Sequence, residues 1–114
     1  MNNVGRVFIT QESGSLNYSN AEAFGDVVFL TAREPSPVAS SIINASIIDE
    51  LRGKLATFDP VVDYIAPSGS PVVSGMAFLL LSERLAKVNA RKISVLRWSN
   101  RDKVYQPITF QLQP

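Results

Sequence analysis

The sequence predicts an α/β protein, a two-layer sandwich in which a mixed five-stranded sheet carries two helices, mainly on one face. Three observations predict this. The 114 residues are 46% hydrophobic and 18% charged, which suits a single folded domain over residues 1–114. Short runs rich in β-branched residues alternate with two segments in which apolar residues recur at helical spacing. The order of these segments along the chain is ββαβαββ.

The first two strands are predicted at residues 5–11 and 26–32, where β-branched and aromatic side chains dominate. Between them, residues 12–25 have the composition of a long loop, with several Ser, Asn and Gly residues. An antiparallel pair is the simplest arrangement for these strands. The second strand is almost continuously apolar, which is typical of a strand buried on both faces.

A helix is predicted next, with Ser36 as its N-cap and Pro37 as its first residue. Its apolar stripe repeats every four residues, and Asp59-Pro60 ends it. The stripe comprises Ile43, Ile47, Leu51 and Leu55.

A third strand at 61–66 leads into a second helix, for which Ser70 and Pro71 repeat the same start signal. This helix is expected to run to about Val88 and to stop near Asn89. It is apolar almost all round, so we expect more than one neighbour to cover it.

The last two strands, at 92–98 and 103–112, are predicted to form a hairpin around residues 99–102. Pro107 lacks an amide donor, which favours an edge position for the final strand. Right-handed crossovers would make strands two, three and four parallel, with strands one and five antiparallel outside them. The sheet face without helices is then covered by Leu16, Phe24 and the first loop, or by a second copy of the chain.

The composition excludes several classes of site. The chain contains no cysteine and no histidine, so disulfides, zinc fingers and His- or Cys-dependent catalysis are ruled out. Carboxylates are sparse and dispersed, so we expect no metal site, no cofactor and no enzyme activity. The amino-terminal residues lack a signal peptide pattern and no apolar run is long enough to span a membrane, so a cytoplasmic protein is expected.

The first candidate site is the loop Ser68, Gly69 and Ser70 between a strand and a helix. Helix N-termini carry free amide groups and a partial positive charge, so a nucleotide phosphate or another anion fits there. Ser74, one turn into the helix, keeps the approach open. Asp63 and Tyr64 are expected near the carboxyl end of the preceding strand, in reach of the same ligand. The alternative interpretation is an ordinary capped helix start.

The second candidate is a basic cluster on and beside the hairpin. All seven basic residues of the carboxyl-terminal half lie between Arg84 and Lys103. Cations bind phosphates and aromatic rings stack on unpaired bases, which favours a nucleic-acid contact. The net charge of only +1 favours the alternative of an ordinary solvated face. The residues assigned to this contact are Arg97, Trp98, Arg101, Lys103 and Tyr105, and Trp98 is expected close to Tyr105.

The long first loop, which contains Asn17, Tyr18, Asn20, Glu22 and Phe24, is a third candidate, because loops of this length are often functional. Together these features predict a non-enzymatic binding or assembly module that acts through protein–protein contacts, as a homo-oligomer or with a protein partner. Small cofactor-free chains of this kind are common among phage and mobile-element proteins. The alternatives are a binding protein for a nucleotide or other small anion, and a nucleic-acid contact through the hairpin.

Overall fold

The computed structural model describes residues 5–14 and 16–112. Most of the amino-terminal segment on which the signal-peptide expectation rests, and Ser15 in the first loop, lie outside these ranges. The elements are β1 (Arg6–Ile9), a 3₁₀ helix (Ser19–Phe24), β2 (Asp26–Phe29), α1 (Ile42–Leu55), β3 (Tyr64–Ala66), α2 (Pro71–Lys87), β4 (Lys92–Ser99) and β5 (Val104–Gln111).

The strands form one five-stranded mixed sheet in the order β2-β1-β3-β4-β5. Strands β1 to β4 are parallel, and β5 pairs antiparallel with β4. The predicted α/β class, with its mixed sheet and two helices, is therefore confirmed. The expected antiparallel pairing of the first two strands is wrong, since the first loop forms a crossover that carries the 3₁₀ helix and returns the chain parallel to β1.

The strand order contains a change of direction. The chain moves outward from β1 to β2, and then passes back over β1 to reach β3. Because parallel crossovers are right-handed, the two directions place their connections on opposite faces of the sheet. The position between β1 and β3 is thus a topological switch point, where α/β proteins commonly bind ligands outside the carboxyl ends of the strands.

The main core lies between the sheet and the two helices. Phe8 and Phe58 pack with their ring centroids 5.2 Å apart, and Leu51, Leu81 and Ile65 are fully buried beside them. Both helices contribute to this one core, which agrees with their predicted position on one face. Arg52 of α1 and Glu83 of α2 form an ion pair at 3.3 Å across the outer surface.

The 3₁₀ helix covers part of the second face. Ala21 is fully buried, Phe24 packs edge-on against Tyr64 at 5.6 Å, and Tyr18 packs against Phe29 at 5.1 Å. The first loop, the first of the two covers expected, therefore covers part of this face, although Leu16 remains 54% exposed.

The start predicted for α2 is confirmed, because the Ser70 hydroxyl caps the helix and Pro71 is its first residue. The start predicted for α1 is wrong. Ser41, not Ser36, accepts hydrogen bonds from the first-turn amides. More than one neighbour covers α2, as expected, because it packs on both α1 and the sheet. Its outer side is not covered, since Val72 and Leu79 are 63% and 58% exposed. No helix in residues 5–14 and 16–112 is long and apolar enough to cross a membrane.

Candidate functional site

All three segments singled out from the sequence border one groove of about 370 Å³ at the carboxyl edge of the sheet. We call it the hairpin groove. The first loop lines one side, the β3–α2 loop lines its base, and the β4–β5 hairpin lines the other side. Its residues are Leu16, Asn17, Asn20, Pro67, Ser68, Gly69, Trp98, Lys103 and Tyr105.

The aromatic wall of the hairpin groove is a cross-strand pair. Trp98 lies directly opposite Tyr105 in the β4–β5 register, and their ring centroids are 5.0 Å apart in an edge-to-face arrangement. Arg91 and Leu112 form a hydrogen-bonded pair, because the Leu112 amide donates to the Arg91 carbonyl. Hydrogen-bonded and non-hydrogen-bonded pairs alternate along an antiparallel ladder, so Trp98 and Tyr105 form a non-hydrogen-bonded pair. Side chains lie closest together in pairs of that type. The expected proximity of the two rings is confirmed.

The Ser68–Ser70 loop is closed by the protein's own side chains. The Ser68 amide donates to the Thr10 hydroxyl at 2.9 Å, and the Ser70 amide donates to Oε1 of Gln11. The Ser70 hydroxyl accepts from Val72 and Val73. These acceptors take the place that the sequence analysis assigned to an anion, so the amides at the start of α2 are already satisfied.

Hydroxyl groups continue this network below the groove. Thr10 is fully buried, and its Oγ1 lies 2.7 Å from the Ser74 Oγ. The Ser68 Oγ lies 2.8 Å from the Tyr18 hydroxyl, which also accepts from the Ser13 amide. Ser74 is thus held inside the fold, and Ser68 links the first loop to the β3–α2 loop.

Asp63 and Tyr64 lie at the amino end of β3, not near its carboxyl end as expected, because the strand begins only at Tyr64. Asp63 is buried and accepts hydrogen bonds from the Arg6 and Asp59 amides at 2.8 and 2.7 Å. Its carboxylate also pairs with the Arg6 guanidinium at 3.1 Å. Asp63 therefore connects β1 to the segment before β3. It lies at the amino ends of these strands, whereas the Ser68–Ser70 loop lies at the carboxyl end of β3.

The basic cluster does not form one surface. Successive side chains of a strand point to opposite faces, so Arg97 lies on the helical face while Trp98 lies on the other. Arg97 donates to Oε1 of Gln106 at 2.7 Å, and Arg84 donates to the Phe58 carbonyl at 2.9 Å. Only Lys103 of the predicted bases borders the hairpin groove. Arg101, in the hairpin turn, pairs with Asp102.

Lys103 has an unusual backbone conformation. Its φ is 58°, a left-handed value that costs an L-residue about 1 kcal/mol or more. Its carbonyl accepts from Asn20 Nδ2 at 3.5 Å, which links the hairpin turn to the 3₁₀ helix. Beside it, burial raises the pKa of the Tyr105 phenol, and the nearby Tyr18 adds to this shift.

A second groove, of about 470 Å³, opens between the amino ends of α1 and α2. We call it the helical groove. Of its lining residues, Val72 and Met76 are 63% and 37% exposed. Elsewhere on the same two helices, Ile42, Ile43 and Leu79 are 86%, 49% and 58% exposed. None of the lining residues is ionisable. The lining comprises Pro35, Ser36, Pro37, Asn44, Ile47, Ile48, Val72, Val73 and Met76.

Asn44 fixes one wall of the helical groove. Its side chain accepts from the Ser36 amide and donates to the Ser36 carbonyl, both at 2.7 Å. This pair of bonds holds the 35–37 segment across the first turn of α1. This wall of the helical groove is therefore fixed by hydrogen bonds within the chain.

Neither Gln11 nor Asn44 was predicted from the sequence as a residue of a site. Gln11 is 2% exposed and also donates to the Arg33 carbonyl and to Glu34. For Gln11, the sequence signal was a polar residue at the end of a buried strand. For Asn44, a lone amide in an otherwise apolar helix start was the signal.

Comparison with known proteins identifies a family for this chain. The model of a protein family described as "Phage Pam3 gp32-like protein" matches residues 5–112. No curated protein and no solved structure matches the chain. The matched segment includes both grooves and every element of the sheet.

Proposed function

The chain belongs to the phage Pam3 gp32-like protein family, and on that premise we propose that this phage protein is a non-enzymatic assembly module. It acts through protein–protein contacts made by the helical groove. The observation that carries this proposal is the exposed apolar surface at the amino ends of α1 and α2.

The apolar surface is continuous along α2. Val72, Met76 and Leu79 are spaced by four and three residues, so they lie on one side of the helix. They are 63%, 37% and 58% exposed, whereas Val73, Ala77 and Leu80 on the inner side are buried. Contiguous exposed apolar surface on a small protein is typical of a protein-binding site.

The charges of the molecule favour a second copy of the chain as the occupant. In a two-fold contact, the same surface patch of both copies is buried, so any charge that the patch carries is present twice. Like charges would then oppose one another, but no ionisable side chain lines the helical groove. The net charge of +1 adds little repulsion between copies.

Light scattering on the purified protein tests this proposal. The double variant Val72→Ser, Leu79→Ser removes the two most exposed side chains of the apolar stripe, and both positions are exposed enough for the fold to tolerate the change. We expect an oligomer for the unmodified chain and a monomer for the double variant. The control is Val61→Ser, since Val61 is 72% exposed and precedes β3 at the opposite edge of the sheet.

A monomer at every concentration of the unmodified protein would contradict self-association. An oligomer that the double variant leaves intact would contradict the helical groove as its contact surface. Circular dichroism of both variants confirms that they are folded.

A further inference from the structure

We propose that the hairpin groove is a nucleotide site, which binds a planar aromatic base together with a phosphate. This site is separate from the helical groove and does not depend on self-association. Its chemistry combines an aromatic wall, free amide groups and one cation, which are brought together from three parts of the chain.

The aromatic wall is held in place before any ligand binds. The Trp98 indole packs edge-on against Tyr105, and its Nε1 donates to Asn100 Oδ1 at 3.0 Å. Trp98 is still 36% exposed. A fixed, partly exposed aromatic side chain is suited to stacking on a nucleobase, because stacking needs surface contact and tolerates every base.

Polar groups on the opposite side of the groove match the edge of a base. Asn17 Oδ1 accepts from the Ser19 amide at 2.9 Å, which orients its side chain. Its Nδ2 has no acceptor within residues 5–14 and 16–112. Asn20 donates to the Lys103 carbonyl, and its Oδ1 remains an available acceptor. These amides offer both a donor and an acceptor to a base edge.

The phosphate position is set by Lys103 and Gly69. Lys103 is the groove's only lysine or arginine, no acidic side chain lines the groove, and Lys103 joins no ion pair of the described residues. The Gly69 amide makes no hydrogen bond in the described ranges. The start of α2 takes no part, because Gln11 and the Ser70 hydroxyl occupy its amides.

Tryptophan fluorescence measures binding at this groove directly, because Trp98 is the only tryptophan of the chain. The probes are the common ribonucleoside 5′-monophosphates, the matching nucleosides, inorganic phosphate and a short single-stranded oligonucleotide. We expect a saturable change in emission with a monophosphate, at lower concentration than with its nucleoside or with phosphate alone.

Two matched variants test the assigned residues. Lys103→Gln removes the groove's cation and should weaken binding about tenfold. Arg97→Gln removes a cation from the opposite face of the same hairpin and should leave affinity unchanged.

A third variant, Trp98→Phe, keeps an aromatic ring but removes the fluorophore. Calorimetry therefore measures its nucleotide affinity, which we expect to be weaker but not lost.

Binding of the oligonucleotide shows whether the groove takes a base from a nucleic-acid strand or from a free nucleotide. Tighter binding than the monophosphate, with a steep loss of affinity in salt, identifies a nucleic-acid strand, while equal or weaker binding identifies a free nucleotide. The proposal is overturned if no monophosphate or oligonucleotide gives a saturable change at low salt. Equal losses in the Lys103 and Arg97 variants would overturn it as well.

Discussion

The side chain of Gln11 lies against Gly69, on the side where any other residue would carry its Cβ. A Cβ at position 69 would stand 2.9 Å from the Gln11 Cβ and closer still to its Oε1. Gly69 also has a φ of 76°, which L-residues rarely adopt. These two residues fill the switch point between β1 and β3, where related architectures leave space for a phosphate. The remaining space lies to one side, in the hairpin groove.

Gly69→Ala should therefore lower the free energy of unfolding by about 2 to 3 kcal/mol, because it adds both a collision and backbone strain. Denaturant unfolding measures this loss. Gly75→Ala is the matched control, since nothing lies within 4 Å of a Cβ there and a helix gains about 0.5 to 1 kcal/mol from the change. A neutral Gly69→Ala variant would contradict the described packing of Gln11.

Removing the buried carboxylate of Asp63 should cost about 3 kcal/mol of unfolding free energy. Asp63→Ala leaves the Arg6 and Asp59 amides without an acceptor and the Arg6 guanidinium without its partner. Thermal unfolding measures the effect, with exposed Asp49→Ala as a control expected within about 0.5 kcal/mol of the unmodified chain. Asp63 lies at the amino end of β3, away from the hairpin groove. A folded Asp63→Asn variant that loses nucleotide affinity would contradict this position.

Lys103→Gly should stabilise the chain by about 1 kcal/mol while it weakens nucleotide binding about tenfold. Glycine adopts a φ of 58° without strain, but it carries no cation. The control is Arg101→Gly, because Arg101 has no positive φ and its replacement should destabilise the turn slightly. Chemical denaturation and fluorescence titration together measure both effects. A variant that is less stable would contradict the strain at Lys103.

Glu50 predicts a pH dependence of stability. Burial raises the pKa of its carboxyl, but hydrogen bonds and charges from Thr31, Arg33 and Lys54 outweigh burial, so the pKa lies below its ordinary value of 4.5. A lowered folded-state pKa contributes stability above pH 4.5 that is lost as pH falls through the folded-state value.

Glu50→Gln should accordingly cost about 0.5 kcal/mol at neutral pH, and this cost should shrink below pH 4.5. Denaturant unfolding at a series of pH values measures the difference. Glu12→Gln, at an exposed carboxylate, should leave the pH dependence unchanged. A cost that grows in acid would contradict the ion pairs of Glu50.

Local patterns predicted much of the fold. The Ser70-Pro71 signal located the start of α2, and the position of Pro107 in the edge strand β5 agrees with its missing amide. The parallel pairing of β1 and β2 was not predictable in this way. It depends on how Tyr18, Ala21 and Phe24 pack on the sheet. This packing is a tertiary interaction, and no periodic pattern in the sequence indicates it.

The three segments that line the hairpin groove were each predicted from the sequence, but their arrangement around one groove was not. Strand alternation alone would have separated Arg97 from Trp98. The closure of the Ser68–Ser70 loop depends on Gln11, which is far from it in sequence and reaches it only through the pairing of β1 with β3. The helical groove was missed because the apolar side chains of α2 were interpreted as packing against its neighbours, whereas Val72 and Leu79 are exposed.

The most direct test of the central claim is the solution mass of the unmodified protein and of the Val72→Ser, Leu79→Ser variant, measured by light scattering over a range of concentrations. We expect an oligomer that the double variant reduces to a monomer, while Val61→Ser remains an oligomer. A monomeric unmodified protein, or a double variant with unchanged mass, would contradict assembly through the helical groove.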